Sequence, residues 1–384
     1  MKPLRIGLIG MGGMGSGHAR AIQAGKVNNA VLAAVCDTEE RDYSSYGDVN
    51  IFTDSQTCIN SGEVDAVIIA TPHYSHTTIG IEALKAGLHV LVEKPISVHK
   101  ADCERLIAAH TNPKQVFCAM FNQRTDPAYR KVRDLIQQGE LGPIRRINWI
   151  ITNWFRTQAY YNSGGWRATW SGEGGGVLLN QCPHQIDLWQ WLFGMPARMR
   201  AFCQIGRYHD IEVEDNVTAY MEYADGASGV FITSTGEAPG TNRLEITGDR
   251  GRLIFEDGKL RFTRNEVPMD KFCATSSERF GTPPVWEISI PIHGANTQHV
   301  GIMNNFVEAC LEGKPLIAPA EEGIHSVELA NAMLMSSFEN RTIDLPLDAA
   351  AYEKLLKKKI DESTWVKPEV RTGKTSDDLS GSFR

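Results

Sequence analysis

The chain has 384 residues, 42% of them hydrophobic and 22% charged, and a formal net charge of −7. This length supports two domains, each with a full core, and the composition is that of an ordinary globular protein. The acidic balance, with a pI of about 5.9, excludes nucleic acid or an anionic membrane as the main partner.

The apolar run from Leu4 to Ile9 reads as a first strand, followed by Gly10, Gly12 and Gly15 at G-x-G-x-x-G spacing and a helix over 16–25. Gly10 permits the tight turn, Gly12 lets backbone approach a phosphate, and Gly15 lets helix pack on strand. With Gly13 and Met14 these residues bring a helix N-terminus, and its unpaired N–H groups, to a pyrophosphate. A second strand over 30–36 leads into Asp37, 22 residues past Gly15. An acid there accepts hydrogen bonds from a ribose and repels a 2′-phosphate, which favours NAD over NADP; the nearby Arg41 softens that preference. Further strands at 65–71, 89–92 and 115–121 alternate with helices at 54–61, 75–86 and 99–110. The alternation predicts a doubly wound parallel sheet, a Rossmann domain, with its ligand crevice at the carboxyl ends of the strands.

The fourth of these strands ends in Glu93-Lys94-Pro95, at the mouth of that crevice. A lysine there can donate to an alcohol oxygen, lower the alcohol's pKa and relay its proton, while burial lowers its own pKa. The plain alternative is a solvent lysine paired with Glu93.

After about residue 124 the rhythm changes to nearly consecutive strands, at 144–155, 198–207, 215–224, 227–235, 243–248, 251–256, 259–263 and 285–290. They predict a large, mostly antiparallel sheet with helices near 127–138, 174–193, 297–312, 321–339 and 348–360 on one face. The chain then divides into a nucleotide-binding domain over 1–123, an α+β domain for substrate and oligomerisation over 124–370, and a flexible tail or arm over 371–384. The uncovered sheet face predicts a homo-oligomer, a dimer or tetramer.

Inside the second domain, Gly174-Gly175-Gly176 leads to Asn180, His184 and Asp187. A helix running through the whole segment puts those three side chains on one face. Pro183 favours a start near Gln181 instead. His184 titrates near neutral pH and suits acid–base work, although a structural core histidine reads the same way. Just before it, Trp154, Phe155, Tyr160, Tyr161, Trp166 and Trp170 crowd together with Arg156 and Arg167 interleaved. Eight cysteines without a C-x-x-C pair read as core thiols of a reducing compartment. No histidine spacing points to a metal, and no signal peptide precedes the first strand, so a cytoplasmic location is expected.

The order of Gly10-x-Gly12-x-x-Gly15, Ala70-Thr71-Pro72 with His76, Glu93-Lys94-Pro95, and the triple glycine followed by His184-x-x-Asp187 resembles the glucose-fructose oxidoreductase / inositol dehydrogenase (Gfo/Idh/MocA) family over essentially the whole chain. The resemblance implies an NAD-dependent sugar or polyol dehydrogenase with Lys94 and His184 as its catalytic pair. It also implies that Thr71, Pro72, His76, Glu93 and Gln123 line the cofactor. Inositol-dehydrogenase-like members carry aspartate where this chain has Asn180, and an amide cannot stabilise imidazolium as a carboxylate does. Either Lys94 is the principal base, with Asn180 orienting a hydroxyl or the imidazole, or Asp187 takes over part of the electrostatic work. The Asn-Gln-x-Pro-His version resembles members acting on pyranosides and anhydrosugars. Flat rings and guanidinium groups suit a carbohydrate, which makes Trp154, Tyr160, Trp166, Arg156, Arg167 and also Arg124 substrate candidates, with about half of the aromatics expected to be structural. The expected reaction is oxidation of a secondary ring hydroxyl of a glucose-like pyranoside. Redox-assisted glycoside cleavage, inositol oxidation and a non-catalytic sensor of nucleotide and sugar are the alternatives.

Overall fold

Two sheets, each with its own hydrophobic core, organise residues 2–367, which the computed structural model describes. The expected tail over 371–384 lies outside the described residues. The first half runs β1 (Leu4–Ile9), α1 (Gly13–Gln23), β2 (Ala30–Cys36), β3 (Asn50–Phe52), α2 (Ser55–Ile59), β4 (Ala66–Ile69), α3 (His73–Lys85), β5 (His89–Val92), α4 (Lys100–Ala108) and β6 (Phe117–Ala119). All six strands are parallel, in the order β3-β2-β1-β4-β5-β6. Ile6, Leu8, Val67, Ile68, Val90 and Leu91 are fully buried, as strands covered on both faces require. The chain order reverses between β1 and β4, and that switch point opens a crevice. Strand β3 escapes a reading of apolar runs because it is three residues long and Ile51 is 58% exposed. Glu93-Lys94-Pro95 therefore follows the fifth strand rather than the fourth.

The second half runs α5 (Pro127–Gln137), β7 (Ile144–Ile151), α6 (Gln158–Asn162), α7 (Pro183–Phe193), β8 (Arg198–Ile205), β9 (Glu214–Glu222), β10 (Ser228–Ser234), β11 (Asn242–Gly248), β12 (Gly251–Glu256), β13 (Lys259–Asn265), α8 (Met269–Thr275), β14 (Val285–Ile290), α9 (Gln298–Glu312), α10 (Gly323–Glu339), β15 (Ile343–Asp344) and α11 (Ala349–Asp361). Its sheet has nine strands, ordered β14-β13-β12-β11-β7-β10-β9-β8-β15, and only the β7–β10 pair is parallel. Ile147, Trp149 and Ile151 alternate inward along β7, as do Val217, Ala219 and Met221 along β9. The opposite face leaves Phe202 and Tyr220 59% and 44% exposed.

Three expectations change here. The strand over 144–155 stops at Ile151, and the remainder with Trp154 and Arg156 leaves the sheet as a loop. The helix expected over 174–193 begins only at Pro183, which takes the first helical position that its missing N–H suits. Helix α9, expected over the second sheet, gives Ile302, Met303, Phe306 and Val307 to the first core.

Candidate active site

A cleft of about 770 Å³ lies at the carboxyl ends of β1, β2, β4 and β5, and its lining reaches from Asp37 to Lys94 and Asn180. Gly10, with φ of +92°, passes so close to β4 that a Cβ would stand 2.7 Å from the Ala70 backbone. A Cβ on Gly15 would lie 1.8 Å from the Gly10 carbonyl oxygen, whereas one on Gly12 would meet nothing within 4 Å. Two glycines are thus fixed by packing, and the third keeps a face of the loop open to the cleft, beside the N-terminus of α1. Asp37 accepts the Met11 N–H at 2.6 Å and the Glu39 N–H at 3.0 Å, with Arg41 Nε 3.7 Å away. It braces the loop while lining the cleft, and its remaining lone pairs can take ribose hydroxyls. The Thr71 hydroxyl on the cleft wall is buried with no partner among the described residues, as expected of a group that waits for a ligand. His76 ties the neighbouring loops together, one ring nitrogen 2.8 Å from the Pro95 carbonyl and the other 2.8 Å from that of Thr71. An open glycine loop, a carboxylate at the ribose position and an orphaned hydroxyl fit a bound dinucleotide.

At the far end of the cleft, Lys94 Nζ donates to the Asn180 carbonyl at 2.8 Å. Burial pushes the Lys94 pKa below its ordinary value; Arg167 and Arg156 push the same way, against the pull of Glu93 and Glu173. Burial opposes charge on Glu93 too, yet the His18 ring nitrogen at 2.7 Å and the fields of His18, His299 and Lys94 bring its pKa down to about 2. Burial lowers His299 to about 4. On the first turn of α7, His184 is 5% exposed, and its Nδ1 has no partner among the described residues. Burial, then the nearby Lys94 ammonium and His299, hold its pKa well below the ordinary 6.5. A lysine whose pKa burial lowers and a neutral imidazole therefore act on one another at this end of the molecule, groups of the kind that can move a proton.

The Asn180 amide is fixed in one orientation. Its nitrogen donates to Glu173, and its oxygen accepts the Tyr160 hydroxyl at 3.3 Å. Tyr160 in turn accepts from Arg167 at 2.7 Å and from Gln181 at 3.1 Å. Glu173 is 1% exposed, takes the Ala168 N–H at 2.7 Å, and has its pKa raised by burial. A carboxylate thus stands one amide away from the position where the resemblance expects an acid. Sequence reasoning missed Glu173, although it immediately precedes the triple glycine, and missed His299, which no local pattern marks. His18, on α1, holds Glu93.

Other candidates are placed elsewhere. Arg124 and Asp187 form a buried two-point ion pair at 2.8 and 2.6 Å, each side chain 1% exposed, and Arg124 also reaches Glu322. Asp187 also accepts from the Gln190 amide at 3.1 Å, and neither Asp187 nor Arg124 lines the cleft, so the pair reads as an anchor of α7 and Arg124 is not open to a substrate. Gln123 lies on the turn after β6, its oxygen accepting from Gln185 at 3.2 Å, outside the lining of the cleft. Of the aromatic segment, Trp166 and Arg167 line the cleft. Tyr160 joins through Asn180, and Trp154 lies 5.4 Å beneath the Arg156 guanidinium. Tyr161 and Trp170 are buried and structural.

The triple glycine serves packing rather than phosphate. A Cβ on Gly174 would lie 2.0 Å from Val98, and one on Gly176 2.0 Å from the Glu214 carbonyl oxygen. The buried Glu214 carboxyl receives the Gly176 and Leu178 N–H groups at 2.8 and 3.0 Å, and burial pushes its pKa up to about 7. From the C-terminal side, Lys367 Nζ donates to the carbonyls of Gly164 and Arg167 at 2.5 and 2.8 Å, bracing the segment that closes the cleft. Among the described residues no cluster of His, Cys, Asp or Glu is arranged to hold a metal, and no helix is long and apolar enough to cross a membrane.

The sheet order, the glycine loop and a cleft running from Asp37 to Lys94 are those of an NAD-binding oxidoreductase. Residues 4–121 match the oxidoreductase family with an NAD-binding Rossmann fold, and residues 129–254 match the GFO/IDH/MocA C-terminal domain, together well over half of the chain. The chain belongs to the Gfo/Idh/MocA family. It is similar to levoglucosan dehydrogenase of Pseudarthrobacter phenanthrenivorans, 24% identical over 90% of this chain and 99% of that one. It is equally similar to myo-inositol 2-dehydrogenase of Thermotoga maritima, 24% identical over 89% and 98%. Among solved structures, the WlbA dehydrogenase of Bordetella pertussis in complex with NADH and UDP-GlcNAcA superposes with a TM-score of 0.75 at 26% identity, over 90% of this chain and 100% of that one.

Proposed function

We propose that this protein oxidises one secondary ring hydroxyl of a sugar or glycoside, a glucose-like pyranoside, to the keto-sugar with NAD. The observation that carries this reading is the meeting of Lys94 with His184 and the Asn180 carbonyl at the end of a dinucleotide cleft. Relatives named for levoglucosan and myo-inositol support a polyol or sugar substrate.

In this reading the open face at Gly12 and the start of α1 receive the pyrophosphate, Asp37 receives a ribose, and Thr71, Pro72 and His76 form the wall beside the reacting end. Bound NAD supplies the hydride acceptor. Lys94 hydrogen-bonds the substrate hydroxyl and, as the neutral amine that burial favours, takes its proton. His184, uncharged, orients the same oxygen, and the Asn180 main-chain carbonyl holds Lys94 in place. Trp166 offers a ring face to the sugar. With Asp187 engaged by Arg124, Lys94 is the principal base. Purified protein with NAD and a panel of pyranosides is expected to generate reduced-nicotinamide absorbance, and Lys94→Ala to lower kcat by roughly 10²–10⁴-fold. A variant that keeps most of the rate refutes the assignment of the base.

We also infer that the molecule works as a dimer or tetramer through the exposed sheet face that carries Phe202 and Tyr220. Its cysteines are free, which suits the reducing cytoplasm.

A further inference from the structure

Two guanidinium groups, those of Arg167 and Arg156, act through space on Lys94 at the reacting end of the cleft. Two carboxylates act on Lys94 in the opposite sense, and both are engaged. His18 holds Glu93 at 2.7 Å, while Glu173 accepts from the Asn180 amide and from the Ala168 N–H. The neighbouring His73, His184 and His299 add no further positive charge, because burial keeps their pKa values low.

Arg167 is built into this end rather than left on a surface. Its guanidinium carbon lies 4.6 Å from both the Tyr160 and the Trp166 ring centroids, so two aromatic faces hold its plane. Nη1 donates to the Tyr160 hydroxyl at 2.7 Å and stands 3.8 Å from Glu173. The opposite edge, Nε with Nη2, makes no hydrogen bond among the described residues, and the side chain, 23% exposed, lines the cleft. A planar edge with two parallel N–H groups matches the two oxygens of a carboxylate. A lone sugar hydroxyl oxygen would fit that two-donor edge less well and would bring no anion to a half-buried guanidinium whose nearest carboxylate among the described residues, Glu173, stands 3.8 Å from the other edge.

We propose that the substrate is an acidic sugar, a pyranoside bearing a carboxylate, and that the Nε–Nη2 edge of Arg167 receives that carboxylate with Arg156 as the second cation. This rests on the dehydrogenase reading above and narrows its substrate class. Arg167 is then the residue that sets specificity.

Methyl β-D-glucuronide, its uncharged uronamide and methyl β-D-glucoside are matched probes for the full-length protein with NAD. The glucuronide is expected to show kcat/KM about 30-fold or more above both neutral sugars. Calorimetry on the protein loaded with NADH is expected to rank their Kd values in the same order. Arg167→Met is expected to bring the three sugars to near parity in both measurements, while Arg167→Lys, which keeps the charge and loses the fork, retains part of the preference. Equal or reversed preference in the unaltered protein overturns the proposal and leaves the dehydrogenase reading standing. A preference that survives Arg167→Met overturns it as well. If no sugar of a broad panel is oxidised, both readings fall together.

Discussion

A lysine serves as a base more readily the lower its pKa lies, and burial, with Arg167 and Arg156 nearby, moves Lys94 in that direction. The active form is the amine, so kcat is expected to rise with pH and to level off at an ionisation below 10.5, the ordinary lysine value. Lys94→Arg should remove that limb along with the rate. His184 stays neutral down to well below 6.5 and should contribute no separate limb near neutrality. The glycines of the first loop make a sharper pair of tests. Gly15→Ala sets a methyl against the Gly10 carbonyl, so thermal stability and nucleotide binding should both fall. Gly12→Ala meets no protein atom, so the melting temperature should hold while NADH affinity, read by fluorescence titration, drops at least tenfold because the methyl takes the phosphate's place. These residues were legible in the sequence because each sits in a short motif at the end of a strand. Glu173 was not, since an acid beside glycines reads as surface. Nor was His299, which a helix distant in sequence brings to Glu93.

Among the elements, the most informative is α7. Its first turn carries His184 within the field of Lys94, and its next turn anchors the helix through Asp187 to Arg124. The sequence placed both residues near the site but could not tell reaction chemistry from anchoring, because a fork-to-carboxylate pair depends on the distant turn after β6. Asp187→Asn leaves the Arg124 charge short of a buried partner and should cost about 3–5 kcal/mol of stability, measured by denaturant unfolding, whereas an acid at work in catalysis would lower kcat in a protein of unchanged stability. Long, strongly patterned elements were readable, including the paired parallel strands and the alternating β7 and β9. Those that depend on distant pairing were not. Strand β15 is two residues laid against β8, and α6 and α8 are short turns of helix between loops. The extra reach predicted for β7 reflects aromatic residues that resemble strand in composition, although they leave the sheet as a loop.

At the scale of the whole molecule, the two kinds of sheet followed from the change in rhythm near residue 124, but the path of the chain did not. Helix α9 returns to the first core and so joins the two halves more closely than a simple succession of domains. The nine-strand sheet keeps Phe202 and Tyr220 on its outer face, and gel filtration with light scattering should find a dimer or tetramer. Replacing both residues with Asp should shift the population toward monomer without loss of the fold, and a native protein that elutes as a monomer refutes this. The contact of Lys367 with the carbonyls of Gly164 and Arg167 reaches further than its size implies. Those last described residues work as a latch on the wall of the cleft, so trimming by a protease or a tag fused at that end becomes a kinetic variable. Stopping the chain after Glu362 should hasten the departure of NADH in stopped-flow fluorescence, although no group that handles a proton or a phosphate has been altered.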